Sequence, residues 1–520
     1  MRGRPVCTCT MRAAQTPAAI LHRPSAVPTP PHRFATTLWY FMTAIAQQDV
    51  FTRLANAGSS PMRAIVLLVV LACAPQNHDP APAERAPTWD PVLAADDRGA
   101  VYAAALTHDA GGTPCFLFAA STSAGAAWSV QDPAPFGRAR GARRRPQLRA
   151  AGDGRVYALW EDSRSGPVDV FFNRSADAGA TWLADDVRIN TNTVGLSHVT
   201  SPQFAHDGRD GLYAVWRDDR DGFDALYSNA SRDGGVTWRN RDARLTALTL
   251  GRKAEPRVAC DDAGSVYVLW IELRDGVRRV FSNVSNDAGE TWRLQDVAVD
   301  GGIEGAFAAE IAALQGGIVV ITWTASTASG QRVFVTRSTD RGRFWDPPRP
   351  LRDPQGRTDA SAPVLVQDGR DHMYVGWHCN NFDATSRILV AASADRGFTF
   401  TTTAIDIGHE LEDPDPQGPH RGLLAPFRLA ADPTGNVYAT WIERAPAPRV
   451  RVDRLTDFGA VWARLPASAE FDFDPPQRPD PPQIVCDDLG HVHILWDATT
   501  ALRIATSPFY GASGWRLNTF

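Results

Sequence analysis

Eight copies of one octet limit what this chain can fold into more than any other feature. Residues Ser175 to Trp182 read SADAGATW, and the pattern returns as SRDGGVTW from Ser231 and SNDAGETW from Ser285. Looser copies begin at Ser121, Ser338, Ser393, Leu455 and Ser507, so successive units lie 52 to 62 residues apart. A period of that length marks one supersecondary unit repeated in space. Each unit opens near a proline (Pro91, Pro146, Pro202, Pro256, Pro363, Pro426, Pro482), with Glu310 in its place once. A second apolar run ends at Trp160, Trp216, Trp270, Trp323, Trp377, Trp441 or Trp496, and a third leads into the octet. Within these runs apolar residues alternate with a period of two and are rich in Val, Tyr, Phe and Trp, with Gly and Asp clusters between them, which predicts strands. Three strands before the octet and one after it make a four-stranded antiparallel sheet. Packing such sheets radially covers both faces of each and leaves only short edges. The expectation is therefore an all-β propeller of eight blades, or seven or six if the terminal units supply only partial strands.

The octet itself resembles the Asp-box (BNR) repeat of the sialidase superfamily of propellers, and the resemblance runs from Pro91 to Trp515. Asp177, Asp233, Asp287, Asp340, Asp395 and Asp457 can accept N–H bonds inside a turn whose backbone shape Gly179, Gly235, Gly289, Gly342, Gly397 and Gly459 supply. A feature repeated around a ring builds blades and cannot mark one site. The resemblance implies glycan recognition or glycoside hydrolysis, with the site on the face opposite the octets.

Composition and charge narrow the rest. The 520 residues carry 44% hydrophobic residues, 16 Trp and 23 Phe, enough for a large core, and a net charge of -5 predicts no nucleic-acid partner. From Met62 the chain reads MRAIVLLVVLAC, which resembles a bacterial lipoprotein signal with Cys73 as the lipid-carrying residue. The expected organisation is an extension or misread start over 1–61, the signal over 62–73, a Pro/Ala-rich tether over 74–88 and one propeller over 89–520. The expected protein is a monomer exported to the cell envelope, meeting the membrane only through that lipid. A plain secretory signal is the alternative. Cys115, Cys260, Cys379 and Cys486 have no metal-site spacing. No cofactor is expected; Asp218–Asp224 has a faint calcium-loop look with incomplete ligand spacing.

Residues that break the repeat are the candidates for function. The family resemblance implies an arginine cluster that clamps a substrate carboxylate, a Tyr–Glu nucleophile and an Asp acid/base. It places Arg144, in RRRP, at an arginine position and Asp169 at the acid/base position, with Arg252 and Arg421 as possible partners. No tyrosine remains for the nucleophile. Tyr102, Tyr157, Tyr213, Tyr267, Tyr374 and Tyr438 share one repeat position, and Tyr227 matches Phe171, Phe281 and Phe334. The pairs Asp162/Arg164, Asp218/Arg220 and Glu272/Arg274 recur after the core Trp and are expected to form a salt-bridge lattice. The symmetry breaks at HCNNFD (His378, Asn380, Asn381, Asp383) and at the long connection HELEDPDPQGPHRG (Glu410, Glu412, Asp413, His420, Arg421). These are expected to form a polar patch for sugar hydroxyls, or else a merely hydrophilic loop. The first functional expectation is recognition of a glycan or other extracellular polymer. Glycoside hydrolysis, of exo-α-sialidase or carboxylate-pair type, is one alternative and a protein-interaction scaffold the other; Glu161, Glu304, Glu310 and Glu443 are available carboxylates.

Overall fold

The fold is described from a computed structural model. It describes residues 89–520 apart from 110, 138–142, 195–196, 247–250, 329, 353–355, 357–358, 381–385, 402–404, 407–426, 444–448, 457–460, 464–469, 473–479, 499–500, 509–510 and 512–513. All the described strands belong to one compact unit, Pro82–Phe520. They form eight antiparallel sheets, each built from strands consecutive in sequence, and there is no helix among the described residues. The protein is an eight-bladed propeller. Seven blades have four strands; in the seventh, two short segments, Val461–Ala463 and Glu470–Asp472, both pair with its third strand.

The innermost strands of blades 1 to 8 are Trp89–Ala95, Arg143–Ala151, Val199–His206, Arg252–Cys260, Ala306–Leu314, Asp359–Gln367, Arg428–Ala431 and Gln483–Cys486. The second strands carry the core. Trp160, Trp216, Trp270, Trp323, Trp377, Trp441 and Trp496 are all at most 2% exposed, as large flat side chains wedged between radial sheets must be. Register shows that Ala309, one residue before Glu310, stands at the proline position in blade 5, because Glu310 opposes Thr322 as Gln147 opposes Leu159. In blade 7 Phe427 takes that position, since Arg428 opposes Thr440.

The octet is a closed hydrogen-bond unit. In blade 2 the buried Ser175 Oγ accepts from the N–H groups of Asp177 and Gly179 at 3.2 and 2.9 Å. Asp177 accepts from the Thr181 N–H and hydroxyl at 2.8 and 2.6 Å, and Trp182 Nε1 donates to the Gly179 carbonyl at 3.1 Å. The turn needs a left-handed backbone at Ala178 and Gly179, with φ of 56° and 84°. The Trp182 ring then meets Phe118 of blade 1 edge-on at 5.0 Å, so the turn also joins blades. Polar latches repeat the join: Gln131 donates to the Gly179 carbonyl at 3.0 Å, Arg293 to Gly342 at 2.8 Å and Arg349 to Gly397 at 3.3 Å.

A second acidic turn links the first and second strands. Asp96, Asp207, Asp261 and Asp432 each accept backbone N–H groups two and four residues on, and each receives the hydroxyl of the core tyrosine, Tyr102, Tyr213, Tyr267 or Tyr438, at 2.9 to 3.4 Å. Burial pushes these tyrosines above their ordinary pKa, with the facing carboxylate adding to it. Blade 2 has Ala151 in place of the acid, and the buried Tyr157 hydroxyl has no partner there among the described residues. The two kinds of turn lie side by side, because the Ala178 N–H donates to the Gly154 carbonyl at 2.7 Å and Ala288 to Gly264 at 3.1 Å. Both therefore occupy one face of the ring, and the opposite face carries the entries to the first strands and the links from second to third strands.

Asn173, Asn229 and Asn283, which head glycosylation-like triplets, are each 1% exposed and donate to the carbonyls of Leu183, Arg239 and Arg293 at 3.2, 3.0 and 3.0 Å. They tie the third strand to the chain after the octet.

Candidate functional site

On the face away from the octets, the first strand of a blade does not enter its sheet smoothly. Its register shifts at the same place in six blades, between Trp89 and Val92, Arg144 and Gln147, Thr200 and Gln203, Ala254 and Arg257, Phe307 and Ala309, and Ser361 and Val364. These are β-bulges, which put one unpaired residue into the strand and re-aim its side chain. Below them one position per blade forms a ring: Val92, Gln147, Gln203, Arg257, Glu310, Val364, Arg428 and Gln483. All eight line a central cavity of about 680 Å³, together with Asp90, Arg145, Arg149 and Asp480.

The charges in this cavity are unevenly paired. Arg257 Nε reaches both oxygens of Glu310 at 3.1 and 3.2 Å. Arg145 bonds Glu161 at 3.0 Å and the Ser201 hydroxyl at 3.0 Å, while the Ser201 N–H donates to Glu161 at 2.7 Å. Arg149 and Arg428 differ. Among the described residues their side chains donate only to the carbonyls of Leu148 and Phe427, at 2.8 and 3.2 Å, and neither has a carboxylate within ion-pair distance. Desolvation lowers the pKa of both, with nearby charges adding smaller effects, and Arg149 lies 5.0 Å over the Phe204 ring.

Acids gather where blade 8 meets blade 1. The Asp90 N–H donates to Asp480 at 2.9 Å, and the Arg145 N–H donates to Asp90 at 3.2 Å. Behind them Asp497, 1% exposed, has a buried Oδ1 without a partner among the described residues. Desolvation, reinforced by Asp480 and then Asp90, pushes its carboxyl up to about 7. Desolvation also raises Asp480.

The residues expected from sequence fall in several places. Arg144 is exposed and is not part of the cavity wall, which Arg145 enters instead. Asp169 is 1% exposed, far out on a third strand, and binds Arg188 at 2.8 Å and Asn190 at 2.7 Å. Arg252 is exposed at the entry to blade 4. His378 is 8% exposed with its buried Nε2 without a partner among the described residues, and desolvation takes it down to about 4. Asn380 ends the second strand of blade 6. Asn381, Asp383, Glu410, Glu412, Asp413, His420, Arg421 and Cys73 lie outside the described residues. The six repeat-position tyrosines are at most 3% exposed, in the core.

The expected lattice is present. Arg164 bonds Asp162 and Asp186 at 2.6 and 2.8 Å, Arg220 bonds Asp218 and Asp242 at 2.5 and 2.8 Å, and Arg274 bonds Glu272 at 3.0 Å. Each guanidinium also lies 4.0 to 4.3 Å over the ring of Phe171, Tyr227 or Phe281. Lys253, the one lysine in the chain, is fully buried below this lattice with its Nζ 3.6 Å from Glu272. These groups are committed to structure. No group of His, Cys, Asp and Glu able to hold a metal ion occurs among the described residues, and no helix there is long and apolar enough to cross a membrane.

No known family profile and no curated protein matches the chain. Solved structures resemble it at low identity. A PL25 ulvan lyase is 12% identical over 73% of this chain and 96% of its own, with a TM-score of 0.46. The Hadza microbial sialidase Hz136 is 13% identical over 66% and 71%, with a TM-score of 0.36. An α-L-arabinofuranosidase from Fusarium graminearum is 15% identical over 56% and 88%, with a TM-score of 0.37.

Proposed function

We propose that this propeller binds an anionic glycan, one carrying carboxylate or sulfate groups, in its central cavity. The observation that carries this reading is the pair of guanidiniums, Arg149 and Arg428, that face the cavity without a carboxylate of their own among the described residues. A planar guanidinium without a carboxylate of its own favours a bidentate oxyanion partner. The amide group of Gln203 on the same ring suits sugar hydroxyls, and about 680 Å³ is within the size range of small-ligand sites. Export and lipidation at Cys73 belong to the same proposal, since such glycans are extracellular polymers.

The test is calorimetric titration with trigalacturonate, dextran sulfate and unmodified dextran. Binding of the two anionic probes in preference to dextran is expected. Loss of one charge-assisted contact, in Arg149→Gln or Arg428→Gln, is expected to weaken them about tenfold. Equal affinity for dextran, or indifference to both substitutions, would refute the reading.

One observation favours a second reading, hydrolysis. A carboxyl that holds its proton near pH 7, behind the Asp480 carboxylate in the cavity wall, is the kind of group a general acid requires. A fluorogenic glycoside panel in which turnover disappears in Asp497→Asn would support it. The absence of turnover across the panel would dismiss it.

A further inference from the structure

In five of the bulged blades the bulged residue has an unusual backbone. Asp90, Arg145, Ser201, Glu255 and Ala308 have φ of 53°, 50°, 56°, 51° and 46°, all in the left-handed region, and none is glycine. Four of them precede a proline, where the preceding residue is pushed toward extended conformations. Such strain persists only where the surroundings over-determine it. The surroundings are visible here: the next residue, Pro91, Pro146, Pro202, Pro256 or Ala309, is buried in every case, while the bulged residue itself stays partly or fully exposed. The backbone is thus constant and clamped from below, and the side chain above it is free to vary.

It does vary, with charges of both signs. Glycine would hold this backbone without strain, yet Asp, Arg, Ser, Glu and Ala stand there. Among the described octets the left-handed turn residue is different: Ala124, Ala178, Gly234 and Ala288 are minimal, while Arg341 and Arg396 are long. On the cavity side Asp90, Arg145 and Ala308 line the opening, and hydrogen bonds run from Asp480 through Asp90 and Arg145 to Ser201.

We infer that these five rim positions decide which ligand enters the cavity, each strained bulge presenting one exchangeable side chain to the incoming group. The inference rests on the binding proposed above, and it locates the selection between ligands at the rim, with the inner arginines supplying a common anchor. Arg145 would favour an oxyanion, whereas Asp90 and Glu255 would favour hydroxyl or ammonium groups and disfavour charge-dense anions. Ala308 contributes no polar contact.

The test uses gain of function, so that a failure to fold cannot be mistaken for a result. Ala308→Arg adds a donor at a position that lines the opening, and Glu255→Gly removes an exposed carboxylate with no partner among the described residues while relieving its backbone. The readouts are the affinity ratios of trigalacturonate and dextran sulfate to dextran, and the melting temperature. Ala308→Arg is expected to raise the anion-to-dextran ratio about tenfold, the worth of one charged hydrogen bond. Glu255→Gly is expected to raise it less and to melt no lower. Ala178→Gly, which relieves the same strain on the octet face, should leave the ratio unchanged. If neither rim variant moves the ratio while Arg149→Gln still weakens the anionic probes, the rim inference falls and the binding proposal stands. If the unmodified protein shows no preference among the three probes, the binding proposal fails and the rim inference is overturned with it.

Discussion

Removing one oxygen atom from the core should have opposite effects in two blades of the same ring. In blade 4 the Tyr267 hydroxyl donates to Asp261 Oδ2 at 3.0 Å, while Asp261 Oδ1 is occupied by the N–H groups of Ala263 and Ser265 at 3.1 and 2.8 Å. Asp261 is 3% exposed, so Tyr267→Phe leaves a buried carboxylate oxygen unsatisfied. That loss is worth about 1 to 3 kcal/mol. In blade 2 the equivalent acid is Ala151, and the Tyr157 hydroxyl is already unpaired. Tyr157→Phe therefore removes a desolvated group that returns nothing, and is expected to be neutral or to stabilise by up to about 1 kcal/mol. Ala151→Asp should stabilise by about 1 kcal/mol by supplying the missing acceptor. With about 2 cal/mol/K of unfolding entropy per residue, a ring of roughly 430 residues shifts by about 1 °C per kcal/mol. Scanning calorimetry should thus separate the two Tyr→Phe variants by about 2 to 3 °C. Equal destabilisation by both would refute the reasoning, since it would require a partner for the Tyr157 hydroxyl.

Three further outcomes follow from individual sites. Asp497 has a folded pKa of about 7, raised above its unfolded value by desolvation first and Asp480 second, so it favours folding below pH 4 and opposes it progressively as pH rises to 7. Asp497→Asn should leave stability at pH 4 nearly unchanged and raise it by about 3 kcal/mol at pH 8, with a flat difference between the two pH values counting against it. His378, lowered to about 4 by desolvation, acts in the other direction: unfolded chains bind its proton first, so stability should fall as pH drops from 6.5 to 4. His378→Phe should flatten that slope in pH-dependent melting. Gly179→Ala would place a Cβ 2.4 Å from the Phe118 ring at a φ of 84°, whereas Gly166→Ala, with a φ of 110°, meets nothing within 4 Å. The first should cost about 3 kcal/mol or more and the second only about 1 kcal/mol of backbone strain, and similar melting points for the two would show that contact between blades plays no part.

What could be read from the sequence was whatever the repeat amplifies. The octets, the core tryptophans and the shared tyrosine position each occur six to eight times, so local noise averages out, and the blade count, the strand order and the structural role of the tyrosines follow. The acid–arginine lattice was legible for the same reason. The acidic turn before the tyrosine repeats too, as in DDRGAVY and DDAGSVY, and an alignment on the tyrosine would have exposed it. The cavity was not legible. Gln147, Gln203, Arg257, Glu310, Arg428 and Gln483 are unremarkable one at a time and become a ring only when the blades close. Nor does the sequence announce a bulge: one extra residue between Arg144 and Gln147 exchanges the faces of the neighbours, which is why the arginine in the cavity wall is Arg145.

The build of the blades has a kinetic consequence. Among the described residues no strand is exchanged between the first and last sheets, and every strand but Glu470–Asp472 pairs with its neighbour in sequence, so almost all this β-pairing closes over short loops. Topologies of low contact order fold fast for their size. A blade can complete its hydrogen bonds from its own fifty or so residues, without waiting for the next. The last event is then the docking of blade 8 on blade 1, with Leu495, Leu502 and Ile504 closing over Val101, Ala103 and Leu117, and Asp480 meeting the Asp90 N–H. Folding and the completion of the cavity wall end in the same step, so a chain stalled short of blade 8 would hold seven finished sheets around an open cavity.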